Sequence, residues 1–273
     1  MKALAASSIT QYEESMLSLG DYARTIELAL MVCFRPMGTA AIAQTGPRAA
    51  AVDQTGVIVF GSDQGLVGQF NDVLVEFASA RLNDLAGDKI VWTVGERIHA
   101  HLLDSGISVS AVFNTPNSVA AITPLIGQLL IETERHQLNR ETSLYLFYNR
   151  PRSGPGAVYE PVCVRVLPLD ADWQLKFVKP AWPTTPLPEI VGNYSSTLSA
   201  LIREYLFVSL YRACAESLAG ENASRLAAMQ RAEKNIDELL EELSRSFHQL
   251  RQQTIDEELF DVISGYESMP KKR

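Results

Sequence analysis

From about Ser195 to Ile263 the chain contains no proline, and a single glycine, Gly220, lies within the run. About 70 helical residues at 1.5 Å each would be on the order of 100 Å long, far beyond what a globular domain needs. Within it Ile236, Leu240, Leu243, Phe247, Leu250 and Thr254 step alternately by four and three residues. That average spacing is the seam of a left-handed coiled coil, because it keeps apolar side chains on one stripe facing a partner. The other end of the chain repeats the pattern. Ile9, Tyr12, Met16, Leu19, Ala23, Ile26, Leu30 and Cys33 alternate the same steps, with Gln11, Glu13, Glu14, Asp21, Arg24 and Glu27 between them. Pro36 and Gly38 end that helix, since proline lacks an N–H and disfavours a helical predecessor. Two heptad helices at opposite termini predict an antiparallel intramolecular coiled coil, a shaft with a knob on its side. Between Ala213 and Ala228 the helix is crowded with Ala, Ser and Gly, which predicts that another helix approaches closely there.

The region between the helices alternates strand and helix signals. Val57–Phe60 is a short apolar, β-branched run, as a buried parallel strand should be. A glycine-bearing loop precedes a helix over 71–85, and 89–94 gives a second strand followed by a short helix over 97–103. Residues 107–113 alternate into a third strand, 118–136 read as helix, 144–148 as a fourth strand, and 162–167 as a further one. The rhythm predicts an α/β fold: an open, Rossmann-like layer with helices against the sheet. Pro168, Pro180, Pro183, Pro186 and Pro188 mark an extended connection. The expected organisation is a coiled-coil helix over 1–35, an α/β domain over 50–168, a connection over 169–194, the long helix over 195–265 and a tail over 266–273.

Bulk composition narrows function. A hydrophobic content of 47% with 21% charged residues fits a globular chain. A net charge of −8 argues against a nucleic-acid surface, and the basic tail Lys271-Lys272-Arg273 is too short to change that. No run approaches the ~18 apolar residues of a membrane span. Polar residues in the first sixteen positions predict no export signal. Cys33, Cys163 and Cys214 are far apart with no CxxC, so they read as reduced structural thiols of a cytosolic compartment.

Gly61, Gly65 and Gly68, between a strand and a helix, are where a phosphate could be held by backbone N–H groups. Their spacing is GxxxGxxG, not the dinucleotide GxGxxG, and no P-loop Lys-Ser/Thr follows. A tight turn in which Ser62 or Asp63 satisfies loop N–H groups is the better account. His99 and His101, two apart on a helix, point in different directions and predict no shared metal; His136 and His248 read as surface residues. Asp237, Glu238, Glu241 and Glu242 are interleaved with leucines, as on a solvated coiled-coil face. No catalytic constellation and no cofactor site emerges. On residues alone, a nucleotide- or metabolite-binding α/β protein with a helical dimerisation arm and a general coiled-coil adaptor stay open.

Five blocks carry a family resemblance. Ser217 to Met229 (SLAGENASRLAAM) resembles the S-L-A-S-E-N-A-A-R-M-A-A-M signature of the gamma subunit of rotary (F-type) ATP synthases. Arg251 to Leu259 resembles that family's R-Q-x-x-I-T-x-E-L, and Val262 to Gly265 its I-V-x-G. Ser62 to Asn71 resembles S-D-R-G-L-C-G-x-F-N, and Leu146 to Asn149 resembles L-V-Y-N. The resemblance implies a non-catalytic central stalk of a proton- or sodium-translocating synthase, turning inside a hexamer of alpha and beta subunits. It implies the epsilon subunit and the membrane c-ring as further partners, no nucleic acid and no direct membrane insertion. The place implied is the cytoplasmic face of a bacterial or archaeal inner membrane.

By the same resemblance Arg251 and Gln252 contact beta-subunit loops, Glu258 acts further along, and Met1 and Lys2 face the C-terminal helix and beta subunits. Leu4, Gln64 and Asp256 stand where the family has Met, Arg and Thr, as in its alternate type, some members of which move sodium. Met1 to Ser7 resembles only the latter part of the family's first basic stretch. About two dozen residues that precede it in the family, ~35 Å of helix, are therefore expected to be missing from this chain. The stripe of Phe247 and Leu250 is then expected to lie uncovered.

Overall fold

The computed structural model describes residues 2–34, 54–85, 87–136, 142–152, 159–169, 182 and 188–267. Most of the proline-rich connection, Met1 and the last six residues lie outside the described residues. The chain divides into two compact units, Met1–Leu226 and Ala227–Arg273.

The first unit opens with helix α1 (Lys2–Phe34), followed by strand β1 (Gln54–Phe60) and helix α2 (Phe70–Asp84). Strand β2 (Asp88–Val94), helix α3 (Glu96–Asp104), the short strand β3 (Ala111–Phe113) and helix α4 (Ile122–Arg135) come next. Strands β4 (Ser143–Pro151) and β5 (Tyr159–Leu167) precede helix α5 (Tyr194–Glu267), which runs on into the second unit. The sheet has five strands in the order β3-β2-β1-β4-β5. β1 to β4 are parallel neighbours and β5 joins β4 antiparallel.

β1 lies centrally because its apolar run can be covered on both faces. Val57 and Val59 point to the side covered by α2 and α3, where Leu74, Ala78, Ile98 and Leu102 meet them. Ile58 and Phe60 point to the other side, among Leu30, Ile126, Leu146, Leu210 and Leu218. Period-two alternation thus builds two apolar layers from one strand.

The N-terminal heptad runs along the first part of α5. Ser15 Oγ and Tyr211 Oη are hydrogen-bonded at 2.8 Å, Tyr22 Oη donates to Glu204 at 2.7 Å, and Tyr194 Oη donates to the Cys33 carbonyl at 2.9 Å. Each step up α1 is matched by a step down α5 that is equal to within one residue, which is antiparallel pairing. All eight heptad residues of α1 are buried or half-buried, whereas Leu4 and Leu17 off the seam are exposed. Continuing the register places Lys2 level with about Ser224.

Two expectations need correction. Residues 107–110 are not strand: Ile107 N–H donates to Leu102 O and Gly106 N–H to Leu103 O, a left-handed close of α3 with Gly106 at φ +79°. Ile107 and Val109 alternate because they pack under that turn against the α2–α3 layer. The helix predicted from 118 begins as a 3₁₀ turn (Val119–Ala121) before α4, whose Pro124 sits in the first turn, where no helical N–H bond is lost.

Candidate functional site: the seat of the long helix

In an open α/β sheet, ligands bind outside the carboxyl ends of the strands, where the strand order reverses direction. Here that point lies between β1 and β4. Helix α5 fills it. Ser217 Oγ donates to the carbonyl of Phe60, the last residue of β1, at 3.1 Å. Three residues on, a Cβ placed on Gly220 would stand 3.2 Å from the Asn149 carbonyl of β4 and 3.5 Å from the Phe70 ring. One heptad beyond Ser217, Ser224 Oγ donates to the Val67 carbonyl at 2.6 Å. Asn149, fully buried, donates from Nδ2 to Phe70 O at 2.8 Å and so ties β4 to the start of α2. The small residues of α5 therefore serve close approach on two sides, to α1 and, at Gly220, to the sheet's end.

The glycine-bearing loop is held from both sides. Ser62 Oγ accepts from Asn71 Nδ2 at 2.8 Å and donates to Gln64 O, while Asn71 Oδ1 accepts from Ser62 N–H. The Asp63 carboxylate accepts from the Glu96 N–H at 2.9 Å and from both the N–H and hydroxyl of Thr115. It thereby gives a negative charge to the N-terminus of α3 and joins the loops after β1 and β3. Gly95 must be glycine, since at φ +121° a Cβ would stand 2.7 Å from Ser62 O. Within the loop the Ser62 N–H is served by Asn71, whereas Asp63 serves N–H groups of α3 and of the loop after β3 rather than those of its own loop.

Further along α5 lies a buried acid. Glu221 is 5% exposed and paired with Arg225 one turn on. Burial pushes the Glu221 carboxyl up to about 7, opposed by the Arg225 guanidinium and assisted by the charge of Asp63. Burial also raises the Tyr12 phenol on α1, to about 12, with Cys214 and Glu221 adding to the shift. A carboxyl whose folded pKa lies above its unfolded value stabilises the fold at low pH and loses that contribution as pH climbs through the folded value. Stability should therefore fall between about pH 4.5 and 7, and Glu221→Gln should flatten that fall. Urea midpoints at pH 5 and pH 8 check this; an unchanged pH difference in the variant would contradict it. Nearer the start of α5, Glu216 accepts from Arg150 at 3.0 Å and Arg212 at 2.7 Å, and Arg150 donates to Tyr148 Oη at 3.0 Å.

The histidines are corrected in part. His136, read as a surface residue, is half-buried and packs edge-on to Trp92 with ring centroids 5.4 Å apart; His99 is half-buried with Nδ1 enclosed. His101 Nδ1 meets Asp72 at 2.8 Å. Among the described residues no group of His, Cys, Asp and Glu could hold a metal ion.

The second unit, taken by itself, is a helix with its apolar seam in solvent. Phe247 is 61% and Leu250 63% exposed, and Ile236, Leu240 and Leu243 are exposed with them, so the stripe is uncovered as expected. Asp237, Glu238, Glu241 and Glu242 are solvated. Arg251, Gln252 and Glu258 are exposed here, with Arg251 and Glu258 one heptad apart on one face. Lys2 is exposed at the start of α1, and Met1 lies outside the described residues. The sequence did not single out Asn149, Asn71, Ser217, Ser224 or Glu221 individually. The signal was the blocks themselves, since Ser62–Asn71, Leu146–Asn149 and Ser217–Met229 are three sides of one joint.

Paired terminal helices, with the sheet's crevice closed by one of them, define an α/β domain that seats a long helix. The profile of the family described as ATP synthase matches residues 1–269, and the chain belongs to that family. It is similar to the ATP synthase gamma chain of Polynucleobacter asymbioticus, 26% identical, covering 97% of this chain and 91% of that one. The ATP synthase gamma chain of Dechloromonas aromatica is also 26% identical, over 77% of this chain and 72% of the relative. Among solved structures, a chain of the Tetrahymena thermophila mitochondrial ATP synthase central stalk and c-ring superposes with TM-score 0.60 at 19% identity. It covers 85% of this chain and 97% of that one. A chain of the Euglena gracilis mitochondrial ATP synthase superposes with TM-score 0.57 at 15% identity, over 98% and 99%. These two likenesses concern the fold.

Because α5 fills the crevice, isothermal calorimetry of the isolated chain with ATP should give no saturable heat at micromolar concentration. Saturable binding would revive the Gly61–Gly68 loop as a phosphate site.

Proposed function

We propose that this chain is the central-stalk gamma subunit of a rotary ATP synthase, transmitting rotation between a membrane ring and a catalytic hexamer of alpha and beta subunits. The observation that carries this reading is the joint. Three blocks far apart in sequence converge to fix one long helix on an α/β domain, in a family whose profile spans nearly the whole chain. The chain is not itself catalytic. It is a peripheral member of a membrane-bound complex, and no helix among the described residues is long and apolar enough to cross a membrane.

Rotation of an asymmetric shaft presents a different face to each beta subunit in turn. Each site then takes a different nucleotide affinity, a population shift imposed mechanically. On this reading Arg251 and Gln252 contact beta-subunit loops, Glu258 acts further along the same helix, and Met1 and Lys2 face the C-terminal helix and beta subunits. The solvent-exposed seam of Phe247 and Leu250 is covered within the assembly. The epsilon subunit and the membrane c-ring engage the α/β domain, and the complex sits on the cytoplasmic face of a bacterial or archaeal inner membrane. Leu4, Gln64 and Asp256 support the alternate type of synthase. An affinity-tagged chain should recover alpha and beta subunits in stoichiometric amounts from its native membranes. Recovery of the chain alone, from membranes that hold an active synthase, would overturn the reading.

A further inference from the structure

The apolar stripe of α5 chooses which face turns to the sheet, but the hydrophobic effect is non-directional and leaves the finer rotational setting to directional bonds. Hydrogen bonds make that choice. Ser217 and Ser224 are one heptad apart, so their hydroxyls leave nearly the same face of α5, about 10 Å apart along its axis. Both are buried, and they reach two different carbonyls, Phe60 O at the end of β1 and Val67 O in the loop. Between them Gly220 lets the helix backbone rest against the Asn149 carbonyl. Two directional ties and a close contact fix both the axial position and the rotation of a helix. The targets are themselves held: Asn149 clamps Phe70 O, and Ser62, Asn71 and Asp63 fix the loop that carries Val67.

We propose that Ser217, Gly220 and Ser224 are positioning residues that set the rotational phase of α5 on the α/β domain, as a key sets a shaft in its hub. The seat deepens the central-stalk reading, since torque entering at the α/β domain must pass to the helix without slack.

The test uses the full chain with Cys163→Ser, because Cys163 is the half-exposed thiol while Cys33 and Cys214 are buried. Spin labels at Asp84→Cys on α2 and Gln230→Cys on α5, both exposed, report the distribution of distances between domain and helix. Ser217→Ala/Ser224→Ala should broaden that distribution at least about twofold, with each single variant intermediate and Ser217→Thr restoring the parent width. Ser79→Ala, which removes a hydroxyl bonded only to its own helix, should leave it unchanged. A loss of stability alone does not broaden the distribution of folded molecules, so the width separates positioning from mere structure. If the double variant does not fold by circular dichroism, the single variants decide. An unchanged width in folded variants overturns the seat, whether or not the chain assembles. Failure of the parent chain to recover alpha and beta subunits overturns the rotor reading instead.

Discussion

Gly220→Leu is expected to lower the stability of the chain by on the order of 3 kcal/mol or more, while Gly220→Ala stays within about 1 kcal/mol of the parent. Glycine in a helix interior costs about 1 kcal/mol relative to alanine, so Gly220 is retained against propensity. The contact that explains it is the Asn149 carbonyl, 3.2 Å from where a Cβ would lie. A methyl group needs only a few tenths of an ångström there, and the propensity gain offsets that strain. An isobutyl group would have to displace either the end of β4 or the Phe70 ring, and neither can move freely. Phe70 is fully buried, and Asn149 is pinned by its own side chain to Phe70 O. Urea midpoints of the two variants measure the difference. A leucine tolerated as well as alanine would mean that α5 does not rest on the sheet's end.

Phe247→Glu/Leu250→Glu is expected to leave the isolated chain's stability within about 0.5 kcal/mol, because both side chains already lie in solvent. In assembly the effect reverses. Burying each residue contributes about 1.5–3 kcal/mol, and a carboxylate in its place must be desolvated without a partner. Recovery of alpha and beta subunits with the double variant should fall by on the order of 100-fold. The pairing of a null effect on stability with a large effect on assembly is what distinguishes a docking seam from a solvated coiled-coil face. Undiminished recovery would assign the seam to solvent.

The terminal helices and β2 lie within two residues of their predicted bounds, because their periodicities survive packing, whereas β1, β4 and β5 each run three residues further at one end. α1 and α5 kept a 3.5 spacing over many turns, and β1 kept an apolar run that only a doubly covered strand can use. β3 departs furthest. Ile107 and Val109 alternate as a strand would, but they report burial beneath a turn, and period alone cannot separate the two. The seat was visible only as resemblance. Nothing in Ser217 or Ser224 by themselves points to carbonyls 157 residues away. The crowding of small residues was taken as close approach of another helix, and α1 does run along that stretch; at Gly220 the sheet's end approaches as well. Glu221 was indistinguishable from the solvated acids later on the same helix, since burial depends on which face α5 turns to the domain.

The central claim, that this chain is a shaft that turns, is tested most directly by watching it turn. A complex of this chain with alpha and beta subunits would be immobilised through beta, with a gold bead fixed to the exposed α3 residue Arg97 through Arg97→Cys in the Cys163→Ser background. ATP should drive continuous one-way rotation of the bead in three equal steps per turn, one for each beta subunit. A complex that hydrolyses ATP while the bead stays fixed on an intact chain would contradict the account.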